Sequence, residues 1–159
     1  MNINIICVGK MKEKFMRDAC DEYVKRLTRF AKVKVIELGD EPIPEKASEA
    51  EEAAVLKKEG LKILEKTGNG DYVISLCVEG KQKTSPEFAK ILSDCALSGK
   101  SSISFIIGGS LGLSDEVKRR GDLRLSFSKM TFPHQLMRVV LLEQIYRAFK
   151  INANESYHK

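Results

Sequence analysis

The segment SSISFIIGGSLGLSDEVKRRGDLRLSFS, residues 101–128, decides the fold. It opens with SISFII, a run apolar but for two serines, of the kind found in strands buried on both faces. A glycine-rich turn follows, with Gly108, Gly109 and Gly112. Ser114 then stands where a helix N-cap belongs, with Asp115 and Glu116 in the first turn and Gly121 after the last. DLRLSFS resumes the period-two alternation of a strand. Strand, helix and strand in this order form one step of a parallel sheet covered by helices.

The same alternation continues upstream. NINIICVG is an apolar strand ending at Gly9, and from Phe15 a helical stripe falls at residues 15, 16, 19, 20, 23, 24, 27 and 30. KVKVIEL reads as a strand with one wetter face, and the Ala-, Glu- and Lys-rich stretch after Pro44 as a long exposed helix reaching about Lys66. GNGD marks a turn before DYVISLCVEG, another apolar strand. SPEFAKILSDCALSGK is a helix with Pro86 in its first turn and Gly99 at its end.

Downstream, Pro133 opens HQLMRVVLLEQIYRAFKI, a helix of about five turns, and NANESYHK is left as a polar tail. Leu136, Met137, Val139, Val140, Leu141 and Leu142 cover most of that helix's circumference. A helix apolar all round needs cover on more than one side, here its own sheet and a second subunit. The expectation is a single α/β domain over residues 1–159, with no repeats and no low-complexity linker.

Composition supports one domain with a real core: 159 residues, 43% hydrophobic and 31% charged, is neither disordered nor membrane-like. No apolar run approaches the ~20 residues of a spanning helix or forms a signal-peptide core, so a cytoplasmic protein with no membrane partner is expected. The net charge of +5 has a location. Residues 1–30 carry +3, residues 115–159 carry +4, and the middle carries −2. Two basic ends favour a phosphate-backbone partner, though excess surface lysine gives the same count.

Several motifs fail on inspection. LSGKSS holds the GKS of a phosphate loop, but Asp94 stands where the first glycine is required and the order is helix to strand. In the GxGxxG frame, Ile107 occupies the first position. What remains is a loop whose glycines either admit a ligand close to backbone amides or simply make a tight turn. Cys7, Cys20, Cys77 and Cys95 have no paired spacing, and with only His134 and His158 no metal site is expected.

The blocks IIGGSLGLSDEV, LRLSFSKMTFPHQLMRVVLLEQIYRAFKI and NESYHK, with the opening NIICVGKMKEKF, resemble the ribosomal RNA large subunit methyltransferase H family of knotted SPOUT methyltransferases. The resemblance covers the whole chain, and TFPHQLxRxxLxEQIYRA is its most specific part. It implies an α/β trefoil knot in which the last helix threads a loop made by preceding strands. S-adenosylmethionine would be held by Leu76, by Gly108 and by the run Phe127, Ser128, Lys129, Met130, Thr131 and Phe132. The reaction would be methyl transfer to N3 of a pseudouridine in 23S ribosomal RNA on the assembled ribosome, without a metal.

Under the same resemblance, Glu143, His134 and the pair Tyr157 and His158 would orient or deprotonate the base. Arg138, Arg147 and Lys159 would hold phosphates and steady developing negative charge. The family works as a homodimer, so one subunit's cofactor pocket would meet the partner's tail, and DNA is not an expected partner. The competing reading is a ribosome-associated RNA-binding module without chemistry, which would not bind S-adenosylmethionine.

Overall fold

The computed structural model describes residues 1–159, in which strands and helices alternate along the chain. The first half runs β1 (Asn2–Val8), α1 (Lys14–Leu27), β2 (Lys32–Leu38) and α2 (Glu49–Lys66). The second half runs β3 (Tyr72–Gln82), α3 (Ser85–Leu97), β4 (Ser102–Ile107), α4 (Asp115–Arg120), β5 (Leu123–Ser126) and α5 (His134–Asn152). All five strands are parallel, in the order β2-β1-β4-β3-β5.

Side-chain alternation divides the core into two layers. Ile3, Ile5 and Cys7 of β1 and Ile103, Phe105 and Ile107 of β4 face α1, α3 and α5. Ile6, Val8 and Ile106 face the opposite way, onto Ile63 of α2 and Val117 of α4. Leu141, Leu142 and Ile145 of α5 are fully buried, each contributing about 1.5–3 kcal/mol by leaving water. They fix α5 between α1 and α3, and with it the direction in which the helix starts.

The expected cap at Ser114 holds, and two capping boxes join it. Ser48 with Glu51 and Thr84 with Glu87 form capping boxes, and Ser114 accepts the Val117 N–H. Cys7, Cys20 and Cys95 are buried free thiols, and Cys77 is half-buried. No helix is long and apolar enough to cross a membrane.

Four expectations change in detail. β2 pairs only with β1 and, as the sheet edge, is half-covered on each face: Val33 and Ile36 touch the two core layers and Leu38 is buried, while Lys32, Lys34, Val35 and Glu37 are exposed. α2 is not exposed all round: Val55, Glu59, Gly60 and Ile63 line a buried face. Phe15 leaves the predicted stripe, being 66% exposed on the flank of α1, while Met16, Cys20, Tyr23 and Leu27 make the face that packs on the core. The tail after α5 folds back onto the helix through Tyr157 instead of extending into solvent.

β3 has an irregularity that shapes the site. Leu125 of β5 is in register with both Leu76 and Lys81, so residues 76–82 curl over β5. Gly80 makes the clasp feasible: a Cβ there would stand 2.7 Å from the Leu125 carbonyl carbon.

Candidate functional site

A cleft of about 340 Å³ opens beyond the carboxyl ends of β3, β4 and β5. Such strand ends are where ligands bind in open parallel sheets. One wall is the clasp, Leu76 to Glu79; a second is the loop from Ile107 to Leu113; the third runs from Leu125 to Ser128 and on through Met130, Thr131 and Phe132. His134 and Met137 of α5 close it. Seven of the eight residues expected around a cofactor thus share one cleft, Lys129 being the exception. Cys77, Val78 and Glu79 of the clasp, and Lys118, paired with Glu79 by a salt bridge, were not foreseen. Nothing in VEGKQ marks a strand that curls.

The loop walls are rigid for local reasons. A Cβ on Gly108 would stand 2.4 Å from the carbonyl oxygen of Gly112, because the loop doubles back and Gly112 N–H donates to Gly109 O at 3.0 Å. The glycine at 108 is therefore required by the tight turn itself, and it also lines the cleft. Below it, Glu59 lies 3.6 Å from where a Gly109 Cβ would be, and burial raises its carboxyl above the ordinary range. On the third wall Ser126 Oγ donates to Ser128 O at 2.9 Å, and Ser128 Oγ accepts the Met130 N–H at 3.0 Å. Those two bonds shape the turn that presents Met130 and Phe132.

His134 packs on the turn after β1, its Nε2 3.3 Å from the position a Cβ of Gly9 would take. Gly9 has φ +94°, which glycine adopts without strain. One helical turn further on, Arg138 is 3% exposed. Its Nη1 donates to Glu37 Oε2 at 2.8 Å and its Nη2 to the Gly9 carbonyl at 3.2 Å. Met11 N–H donates to the same Glu37 oxygen at 2.8 Å. Burial opposes ionisation of Glu37, but these two donors outweigh it and hold the carboxyl below its usual range. Arg138 is thus committed within the chain, and the expectation that it holds phosphate is corrected: it positions the Gly9 turn. No sequence pattern pointed to Glu37, because its partner is 101 residues away.

Glu143, Arg147, Tyr157 and His158 come together elsewhere. Arg147 Nη2 donates to Glu143 Oε1 at 2.6 Å, and Tyr157 Oη donates to the same oxygen at 3.0 Å. Arg147 Nη1 lies 3.3 Å from His158 Nδ1, where the guanidinium must be the donor. The Tyr157 ring meets Tyr146 edge-on, with centroids 5.0 Å apart. Burial, then the Glu143 carboxylate, push the Tyr157 phenol up to about 12, so it is a neutral donor. Gln144, unforeseen, extends the network: its Nε2 donates to Glu143 Oε2 and its Oε1 accepts from Ser85. Lys159 is exposed beyond the cluster.

The two groups do not meet within one chain. His134 and Glu143 are nine residues apart, which is two and a half turns: opposite faces, and about 13 Å along the axis. Ser126 and Phe127 stand between the cleft and a small cavity bounded by Gln144. Apolar surface continues outward from the cleft, with Met130 74% exposed and Phe132 and Leu136 each 37%.

Residues 1–158 match the family model described as "Predicted SPOUT methyltransferase". Proteins called ribosomal RNA large subunit methyltransferase H from Clostridium novyi (strain NT) and Bifidobacterium animalis subsp. lactis (strain AD011) are 58% and 59% identical to the chain, over 100% of both lengths. Among solved structures, a probable methylase family protein from Haemophilus influenzae Rd KW20 superposes with TM-score 0.54 at 12% identity, over 99% of this chain and 70% of the other. A methylase family protein from Neisseria gonorrhoeae has TM-score 0.54 at 11% identity, over 99% of this chain and 86% of that one. At such identity the two structures are alike in fold.

Proposed function

The chain belongs to the SPOUT methyltransferase family, and from this we propose that it methylates N3 of a pseudouridine in 23S ribosomal RNA on the assembled ribosome. The methyl donor in this reading is S-adenosylmethionine. The observation that carries it is the convergence of Leu76, Gly108 and the 127–132 run on one strand-end cleft. The volume, about 340 Å³, and the walls suit an adenosyl group: Leu76, Met130 and Phe132 offer apolar faces, and strand-end backbone groups offer polar edges. When bound, the sulfonium supplies an electrophilic methyl group and needs no metal to activate it.

What the chain must add is alignment and a destination for the N3 imide proton. Two imidazoles are available, His134 in the cleft and His158 on the tail. Tyr157, a neutral phenol, serves as a donor and Glu143 as the carboxylate that holds Tyr157 and Arg147 in place. Arg147 and Lys159 would meet the phosphate or the developing negative charge.

The same reading makes the protein a homodimer with a composite site, because His134 and the tail cluster face apart within one chain. The exposed apolar surface of Met130, Phe132 and Leu136, adjoining the cleft, supports a self-complementary interface. It also includes the trefoil crossing that membership of the SPOUT family implies. Mass mapping of 23S RNA from cells with and without the gene tests the function. Loss of one methyl from a pseudouridine on deletion is expected; an unchanged pseudouridine would end the proposal. A cytoplasmic site of action follows from a ribosomal substrate.

A further inference from the structure

Phe15 is the most exposed aromatic side chain, at 66%; Phe132, at 37%, belongs to the cleft. Its neighbours in sequence are cationic. Lys10, Lys12, Lys14 and Arg17 are exposed, and Lys14 alone of these forms a salt bridge, with Asp18 at 2.7 Å. Lys10, Lys12 and Arg17 form no salt bridge, although Lys10 lies within electrostatic reach of Glu37, and Glu13 is the only acid between residues 10 and 17.

The turn that carries them is anchored at several points. Met11 is buried in the core at 7% exposure, its N–H is held by Glu37, and the Gly9 carbonyl is held by Arg138. With Met11 rooted inward, Lys10 and Lys12 project outward on either side of it. The turn begins at the cleft, since Gly9 packs against His134, and six residues of chain keep Phe15 within about 20 Å of that histidine.

We infer that the turn from Lys10 to Arg17 is an RNA contact, in which Phe15 stacks on an unpaired base of the substrate while Lys10, Lys12 and Arg17 hold the flanking phosphates. The inference rests on the proposed function and deepens it. N3 lies on the pairing edge of a uracil-type ring, so its methylation requires an unpaired nucleotide. Neighbouring bases in such a loop are free to stack on an aromatic face. A planar ring framed by lysines on a rigid turn is the chemistry that recognises single-stranded RNA without reading its sequence.

The test uses the full-length protein with purified bacterial ribosomes lacking the modification, and tritiated S-adenosylmethionine. Phe15→Ala is expected to lower kcat/KM for ribosomes about 5- to 150-fold, the range of one lost stacking contact. The effect should fall on KM, with S-adenosylmethionine affinity by calorimetry and sedimentation of the protein unchanged. Phe15→Trp restores the rate, while Phe15→Leu, apolar but without a ring face, behaves as Ala. Lys10→Gln with Lys12→Gln should flatten the salt dependence of ribosome binding by about 1.4 in log–log slope.

A Leu variant as active as wild type would overturn the inference, pointing to a generic contact with ribosomal protein. So would a Phe15→Ala protein that keeps its kcat/KM, or one whose sedimentation changes, which would assign Phe15 to contact with a second copy of the chain. Wild-type protein that binds S-adenosylmethionine yet labels no ribosomal RNA would overturn the functional reading itself, and this inference with it.

Discussion

Arg138 on α5 and Glu37 at the end of β2 form an ion pair of 2.8 Å, with the arginine 3% exposed and the glutamate side chain 37% exposed. The pair joins the helix that closes the cleft to the strand beside β1, and the Gly9 carbonyl joins it as a third member. A buried cation that loses its partner costs more than the pair itself contributes. Glu37→Ala should therefore destabilise the protein by about 2–3 kcal/mol in urea unfolding, less than a fully buried pair because Glu37 is partly solvated. The double variant Glu37→Ala with Arg138→Met should be no less stable than Glu37→Ala alone. A double variant much weaker than the single would mean that the arginine stabilises mainly through Gly9.

The same carboxylate gives an acid dependence. Its folded-state pKa is depressed, so its contribution is present above the unfolded value of about 4.3 and is lost as pH falls through the lower folded value. Wild-type stability should drop below about pH 4 more steeply than that of Glu37→Gln. Parallel curves for the two proteins would remove Glu37 from the acid response.

Gly108 separates a folding role from a binding role. A Cβ at this position meets backbone, the Gly112 carbonyl at 2.4 Å, which cannot rotate away. Gly108→Ala should distort the loop, lowering S-adenosylmethionine affinity at least about tenfold, with a stability loss of about 1–3 kcal/mol. Gly39→Ala is the contrasting control, since nothing lies within 4 Å of its Cβ position. It should be neutral or stabilising by up to about 1 kcal/mol. Calorimetry and thermal unfolding of both variants report the two effects separately.

The sheet was legible because β1 and β4 are rich in isoleucine, and because helical stretches with punctuation such as Pro86, Gly99 and the Ser114 cap separate the strands. The cofactor wall at 127–132 was legible only through resemblance, as its turn depends on Ser126 and Ser128 bonds that no periodicity encodes. Glu37 was hidden because its partner is remote in sequence. Phe15 was misplaced for the opposite reason: it fits the helical period, but it stands at the margin of the stripe, and the face that packs is the one through Met16, Cys20, Tyr23 and Leu27. The split of α5 was available from arithmetic alone, since a spacing of nine residues always places two side chains on opposite faces.

Tyr157 links the tail to α5 through its hydroxyl. Its phenol is raised to about 12, first by burial and then by Glu143, so its contribution is full below the unfolded value of about 10 and is lost as pH rises toward 12. Wild-type protein should lose stability across that alkaline interval, and Tyr157→Phe should lose less while starting about 1 kcal/mol lower at neutral pH. Ultraviolet titration of wild type against Tyr157→Phe should show one missing tyrosinate, with a midpoint near 12. A missing tyrosinate with a midpoint near 10 would mean that the tail is undocked in solution.

The opposite-facing placement of His134 and Arg147 makes the composite site testable by subunit mixing. Suppose His134→Ala and Arg147→Ala each abolish methyl transfer as homodimers. In a mixed dimer, one site unites the altered cleft with the altered tail, and the other unites the two intact halves. Random pairing then restores about a quarter of wild-type activity, because half the dimers are mixed and each has one working site. If every site were built within one chain, mixed dimers would hold two damaged sites and activity would stay at zero. Co-expression with two affinity tags, isolation of the mixed dimer and a ribosome methylation assay distinguish the outcomes. The isolated mixed dimer should reach about half of wild-type activity, which no arrangement within a single protomer can produce.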